Sequence, residues 1–180
     1  MRVWFATVTI AGGALLLAQC GARSELGLGE PDARAEVSDA CVPKTVTLVI
    51  PITVPWTATG IDVVAGSHLV VLASGTVQYG GGADQIGNAD GSDYPQKFFP
   101  AAVYPDTVIS TLIGKVGGTT AVDTGIPVPE GVPGRGAGFV GSSYDRIVPV
   151  SGPLFLGYND QRNWFYDNVG SFTVKITTGC

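Results

Sequence analysis

The sequence predicts an all-β domain of short antiparallel strands, a sandwich or a barrel. Three observations predict it. Residues 46–56 alternate strictly, with Val46, Leu48, Ile50, Ile52, Val54 and Trp56 apolar and Thr45, Thr47 and Thr53 polar between them. That period of two marks a strand with one buried face. Further strand-like runs are separated by Gly/Pro turn signals, and no segment carries a convincing amphipathic helix. The 26 Gly and 12 Pro, about a fifth of the 180 residues, exclude a coiled coil or a long helical bundle.

Taken in order, residues 46–56 form the first strand. Pro51 and Pro55 lie on its polar face and lack a backbone donor, which favours a sheet edge. Strand-like runs follow at 61–64, 68–79 (interrupted at Gly75), 107–116, 146–150, 154–158 and 171–177. The turns between them lie at 65–67, 80–93, 117–118, 129–138 and 151–153. There is no internal repeat. The apolar fraction of 45% and a net charge of only −5 argue against disorder. The acidic balance offers no footprint for nucleic acid, so none is expected as a partner. One His and three Cys leave little material for transition-metal or triad chemistry.

The flanks read differently. Arg2 precedes an apolar run over residues 3–18, too short for a membrane span and suited to a signal peptide. The run ends Leu15-Leu16-Leu17-Ala18-Gln19-Cys20-Gly21. This resembles a bacterial lipobox, which implies a signal peptide over 1–19 and a lipid on Cys20. Gln19 departs from the small residue usual before that cysteine. The alternative is an ordinary signal peptide, with the mature chain secreted or periplasmic. Residues 20–40 carry Glu25, Glu30, Asp32, Glu36 and Asp39 among small residues without a sustained period, and read as an acidic flexible tether. The expectation is an exported protein of the bacterial cell envelope, touching membrane only through its lipid, with its folded domain at 41–180. Cys41 and Cys180 then bracket that domain in an oxidising compartment. If the first and last strands run antiparallel as neighbours, these cysteines pair as a disulfide.

One loop concentrates chemistry. Between Tyr158 and Ser171 stand Asn159, Asp160, Asn163, Asp167 and Asn168, beside Trp164, Phe165 and Tyr166. Calcium takes roughly six to eight oxygens from carboxylates, amides and carbonyls, and one hairpin loop of this composition supplies most of them. The same residues also suit a polar hairpin tip with aromatics packed on the sandwich end.

The pattern Tyr158-Asn159-Asp160, six residues, then Asp167-Asn168-Val169-Gly170-Ser171-Phe172 resembles the calcium loop of the PA-IL family of galactophilic bacterial lectins. The segment from Ser74 to Tyr79-Gly80 is similar to a strand of that family ending in Tyr-Gly, and Leu112-Ile113-Gly114-Lys115-Val116-Gly117 to another. The likeness runs over roughly residues 55–177. It implies a jelly-roll-like β-sandwich, calcium as cofactor, and a carbohydrate whose hydroxyls complete the metal's shell. It further implies side-chain ligands Asp160, Asp167 and Asn168, backbone-carbonyl ligands Tyr79 and Trp164, and sugar contacts from Tyr79, Gln96, Asp160, Gln161, Trp164 and Asp167. Asp167 stands where the family commonly has Asn, which keeps an oxygen and adds a charge. The family's sugar-contacting His has no counterpart, since the only His is His68 in an earlier strand. Residues 127–143 are longer than in the family.

Other signals are weaker. Asn88–Ser92 hints at an EF-hand, but the first and twelfth loop positions fall on Ile86 and Lys97. The glycines at 134, 136 and 138 lack dinucleotide-fingerprint spacing. No enzyme is expected, because carboxylates chelating calcium stay ionised whereas glycoside hydrolysis needs one protonated acid. A structural or adhesion sandwich without sugar binding is the other reading.

Overall fold

The computed structural model describes residues 43–92 and 98–179. The signal, the tether, Cys20, Cys41, Gln96 and Cys180 lie outside the described residues. Among the described residues ten strands, all paired antiparallel, form two four-stranded sheets and a small hairpin. The fold is the predicted jelly-roll-like sandwich.

The first sheet joins β1 (Lys44–Pro51), β10 (Ser171–Gly179), β3 (His68–Ser74) and β8 (Ser143–Ile147) in the order β1-β10-β3-β8. Strands β1 and β10 are neighbours, in register from Lys44↔Thr178 to Pro51↔Ser171. The second sheet joins β2 (Trp56–Val63), β9 (Gly152–Tyr158), β6 (Leu112–Val116) and β7 (Ile126–Pro127). A two-stranded ribbon of β4 (Val77–Gln78) and β5 (Ile86–Gly87) stands apart.

Alternation builds the core. Ile50, Leu69, Val71, Phe172, Val174 and Ile176 from the first sheet are buried together with Leu112, Leu154, Leu156 and Tyr158 from the second. The Tyr158 and Phe172 rings meet at 6.2 Å. At roughly 1.5–3 kcal/mol per fully buried large apolar side chain, this layer is the main stabilising term.

The other face of the second sheet is covered by loops. Trp56, Phe155 and Lys115 fall on it, and Lys115 is fully buried. Its ammonium donates to the carbonyls of Thr119, Val122 and Thr124 and sits 4.4 Å from the Trp56 ring and 5.3 Å from the Phe155 ring. Burial pulls its pKa below the usual lysine value, and Asp123 opposes the shift. The lysine therefore closes the 117–125 loop around itself.

The structure departs from the strand reading in several places: β8 spans Ser143–Ile147 where 146–150 was expected, β5 lies within the expected 80–93 turn, β7 was not expected, and two longer runs are cut short. The alternation over 46–56 is not one strand: β1 ends at Pro51, residues 52–55 bend, and Trp56 opens β2 in the other sheet. Pro51 and Pro55 bracket the bend because neither can donate to a ladder. Both β1 and β2 are edge strands, as the prolines suggested. Of the run 107–116, only Leu112–Val116 pairs. Asn159 captures the backbone of the rest, and Ser110 takes a left-handed φ of 61°.

Candidate functional site

The hairpin from β9 to β10 carries the site, and two buried asparagines shape it. Asn159 follows β9 and is fully buried. Its Oδ1 accepts from Tyr104 N (2.9 Å), and its Nδ2 donates to the carbonyls of Tyr104 (3.2 Å), Thr107 (3.0 Å) and Val108 (3.0 Å). The Asn159 carbonyl accepts from Ser110 N at 2.7 Å. The amide is thus saturated by the 104–111 loop, which it staples beneath the site. Its oxygen is turned into that loop and away from any ligand role, a duty no local sequence pattern marks.

Asn168 is the second clasp. Its Oδ1 accepts from Gly80 N (3.2 Å), while its Nδ2 donates to Ile52 O (3.1 Å) and to Asp160 Oδ2 (2.8 Å). One side chain so ties the Tyr79–Gly80 turn, the β1–β2 connection and the aspartate together. Gly80 has a positive φ of 80°, and a Cβ there would lie 2.5 Å from Gln85 Oε1, so the turn needs glycine.

Asp160 is held at both oxygens, since Oδ1 also accepts from Gln161 N at 2.7 Å. Burial raises its pKa above the usual carboxylate value; the Asn168 and Gln161 hydrogen bonds pull it back, and the charge of Asp167 pushes it up. Asp167 ends a 3-10 turn at Phe165–Asp167. Phe165 is buried and anchors that turn. The Asp167 Oδ1 is buried without a hydrogen-bond partner among the described residues. A buried acceptor left unpaired costs roughly 1–3 kcal/mol, and more when charged.

Asp160 and Asp167 face one cavity of ≈ 220 Å³. Tyr79, Gly80, Gln161 and Trp164 also line it, with Phe99, Ile109 and Ser110 forming the opposite wall. Four residues named from the sequence as metal ligands (Tyr79, Asp160, Trp164 and Asp167) therefore converge, and Gln161 joins them. The fifth, Asn168, sits behind Asp160, with its amide turned to the Gly80 N–H. The aromatic cluster divides: Trp164 lines the cavity and is 51% exposed, Phe165 belongs to the core, and Tyr166 projects into solvent. His68 is remote in role, paired with Asp145 at 3.1 Å on the exposed face of the first sheet. The wall of Phe99, Ile109 and Ser110 comes from irregular loops and had no periodic signal.

Two carboxylates share one cavity; Asp167 keeps a buried oxygen without a partner among the described residues, and the proton affinity of Asp160 is raised chiefly by burial, with a smaller push from the charge of Asp167. No group of three or more His, Cys, Asp or Glu gathers among the described residues, so any cation held here would need amide, carbonyl or ligand oxygens beside these two carboxylates.

No protein-family model matches the chain, and no curated protein does. Among solved structures the chain is similar to the N-terminal domain of EclA, a PllA-like lectin. The two are 19% identical, with a TM-score of 0.52, over 78% of this chain and 99% of that domain. The fold is accordingly a lectin-type β-sandwich, which agrees with the likeness read from the sequence.

Proposed function

We propose that the domain is a calcium-dependent carbohydrate-binding module, carried on an exported and lipid-anchored envelope protein. The observation that carries this reading is the unpaired, buried Asp167 Oδ1 beside Asp160 in a cavity edged by an exposed indole. The lectin-type fold supports it. Asp160 and Asp167 would hold the cation through their side chains, with the carbonyls of Tyr79 and Trp164, and Asn168 would fix Asp160 and the Tyr79 turn in place. When bound, calcium supplies a charge that a sugar's vicinal hydroxyls coordinate in place of water. The chain's own part is to present that charge in a rigid cup and to offer the Trp164 face to the sugar's C–H surface.

The module binds without catalysis. A glycosidase acid must deliver a proton, whereas Asp160 and Asp167 would both stay ionised while holding the cation. Gln161, at the cavity, and Gln96 are the remaining candidate sugar contacts. The test is a neutral-glycan panel read by calorimetry, with calcium and then with a chelator. Binding in calcium that vanishes in chelator supports the reading. Calcium binding with no sugar bound at millimolar concentration rejects it in favour of a structural cation in an adhesion or scaffold domain.

A further inference from the structure

We infer that the site extends into a second sugar-binding position bordered by Trp164, so that the natural ligand is a neutral oligosaccharide of at least two units. This rests on the carbohydrate-binding reading above.

A second cavity, also of ≈ 220 Å³, is lined by Ala101, Gln161, Arg162, Asn163 and Trp164. It shares Gln161 and Trp164 with the first. The half-exposed indole therefore borders both cavities, so adjacent rings of one glycan can each pack against it.

The wall of this cavity is built rather than incidental. Residues 101–103 run along the hairpin: Ala102 bridges Gln161, Val103 N donates to Asp160 O (2.9 Å), and Arg162 N donates to Ala101 O (3.2 Å). The Arg162 guanidinium is fixed by Nε to Asp123 Oδ2 (2.6 Å) and by Nη2 to Val103 O (2.9 Å). Asp123 is itself held by Trp56 Nε1 at 2.9 Å, within the loop that closes around buried Lys115. A chain of contacts from the core thus sets the arginine's position. Such a preorganised donor loses little freedom on binding.

The same contacts decide the ligand's charge. Asp123 neutralises Arg162, and among the described residues its bonds run from Nε and Nη2, which leaves Nη1 N–H groups for further acceptors. A guanidinium already paired with a carboxylate donates well to hydroxyl or ring oxygens but has no surplus charge for an acidic sugar. With calcium held by Asp160 and Asp167, the neighbouring position adds no surplus positive charge either. Asn163 adds an amide at the rim. The second unit is therefore a neutral, hydroxyl-rich pyranose.

The experiment is calorimetry in calcium with neutral monosaccharides and disaccharides that end in the same sugar, on the wild type, Ala101→Trp and Asn163→Ala. Ala101 is exposed, and a large side chain there fills the second cavity while its backbone bond to Arg162 stays available. The wild type should bind the best disaccharide about 10-fold more tightly than its terminal monosaccharide. Ala101→Trp should bring that ratio close to one, and Asn163→Ala should lower it a few-fold. Equal affinity for the two ligands in wild type, or a ratio untouched by both substitutions, overturns the second position and leaves the first standing. A preference for an acidic disaccharide overturns the neutral assignment. Absence of any sugar binding removes both positions, and with them the carbohydrate reading itself.

Discussion

Replacing Asp167 by Asn should stabilise the metal-free protein and halve the stabilisation that calcium adds. The substitution keeps the side chain's size and one oxygen but removes a charge. Without metal, Asp167 presents a buried oxygen that no described residue satisfies, and its charge adds to the raised proton affinity of Asp160, which burial chiefly causes. Asparagine leaves a polar atom there but removes the charge, whose burial costs more than a neutral group's, so relief of about 1–2 kcal/mol is expected. In a domain of this size that is a rise of about 3–6 °C in Tm measured in chelator. With calcium that advantage is largely cancelled. A tenfold loss of affinity, about 1.4 kcal/mol, is a reasonable outcome for one lost charge. At a calcium concentration of about 100 times the wild-type Kd, mass action stabilises wild type by about 2.7 kcal/mol and the variant by only about 1.4 kcal/mol. The assay is thermal unfolding followed by circular dichroism, in chelator and in calcium. A variant less stable than wild type in chelator, with an undiminished calcium shift, would refute the claim that Asp167 faces a cation.

Three further outcomes are expected. Asn159→Ala leaves one amide and three carbonyls of the 104–111 loop without their partner, and should cost about 3 kcal/mol, read as a lower urea midpoint at unchanged slope. In chelator, the folded state holds a proton on Asp160 more tightly than the unfolded chain does, because its folded pKa is raised. That contribution to stability therefore grows as pH falls from neutral through the raised pKa, and is complete below the ordinary carboxylate value. Asp160→Asn should lack this gain in a Tm series over pH, and calcium affinity of wild type should fall across the same window. Finally, the antiparallel β1–β10 register, with Lys44 opposite Thr178, meets the condition set for a Cys41–Cys180 disulfide. Peptide mapping without reductant should find the linked pair, worth up to roughly 4–5 kcal/mol by chain entropy; two free thiols would refute it.

How far the sequence was legible depends on whether local pattern and tertiary demand agree. At 171–177 they agree: Phe172, Val174 and Ile176 face the core while Thr173 and Lys175 face out, so period two suffices. Over 46–56 the apolar pattern outlasts the strand, because alternation cannot report that Ile52 is buried beneath a bend rather than in a ladder. Over 107–111 the apolar residues are buried by loop packing, and a distant asparagine side chain takes the bonds a strand would have used. The site divides on the same line. Asp160, Trp164 and Asp167 lie in one hairpin and were readable there. The opposite wall, and the chain of contacts from Lys115 through Asp123 to Arg162, joins segments far apart in sequence. The burial of Lys115 in particular depends on the 117–125 loop folding over it, which no local pattern reports.

The most direct test is a crystal structure of the domain grown with calcium. The site described here predicts one cation 2.3–2.6 Å from oxygens of Asp160 and Asp167, with at least two coordination positions open to the Trp164 cavity and filled by water or sugar hydroxyls. A site without a cation at saturating calcium, or a cation whose shell is closed entirely by protein, would contradict a sugar-bridging role.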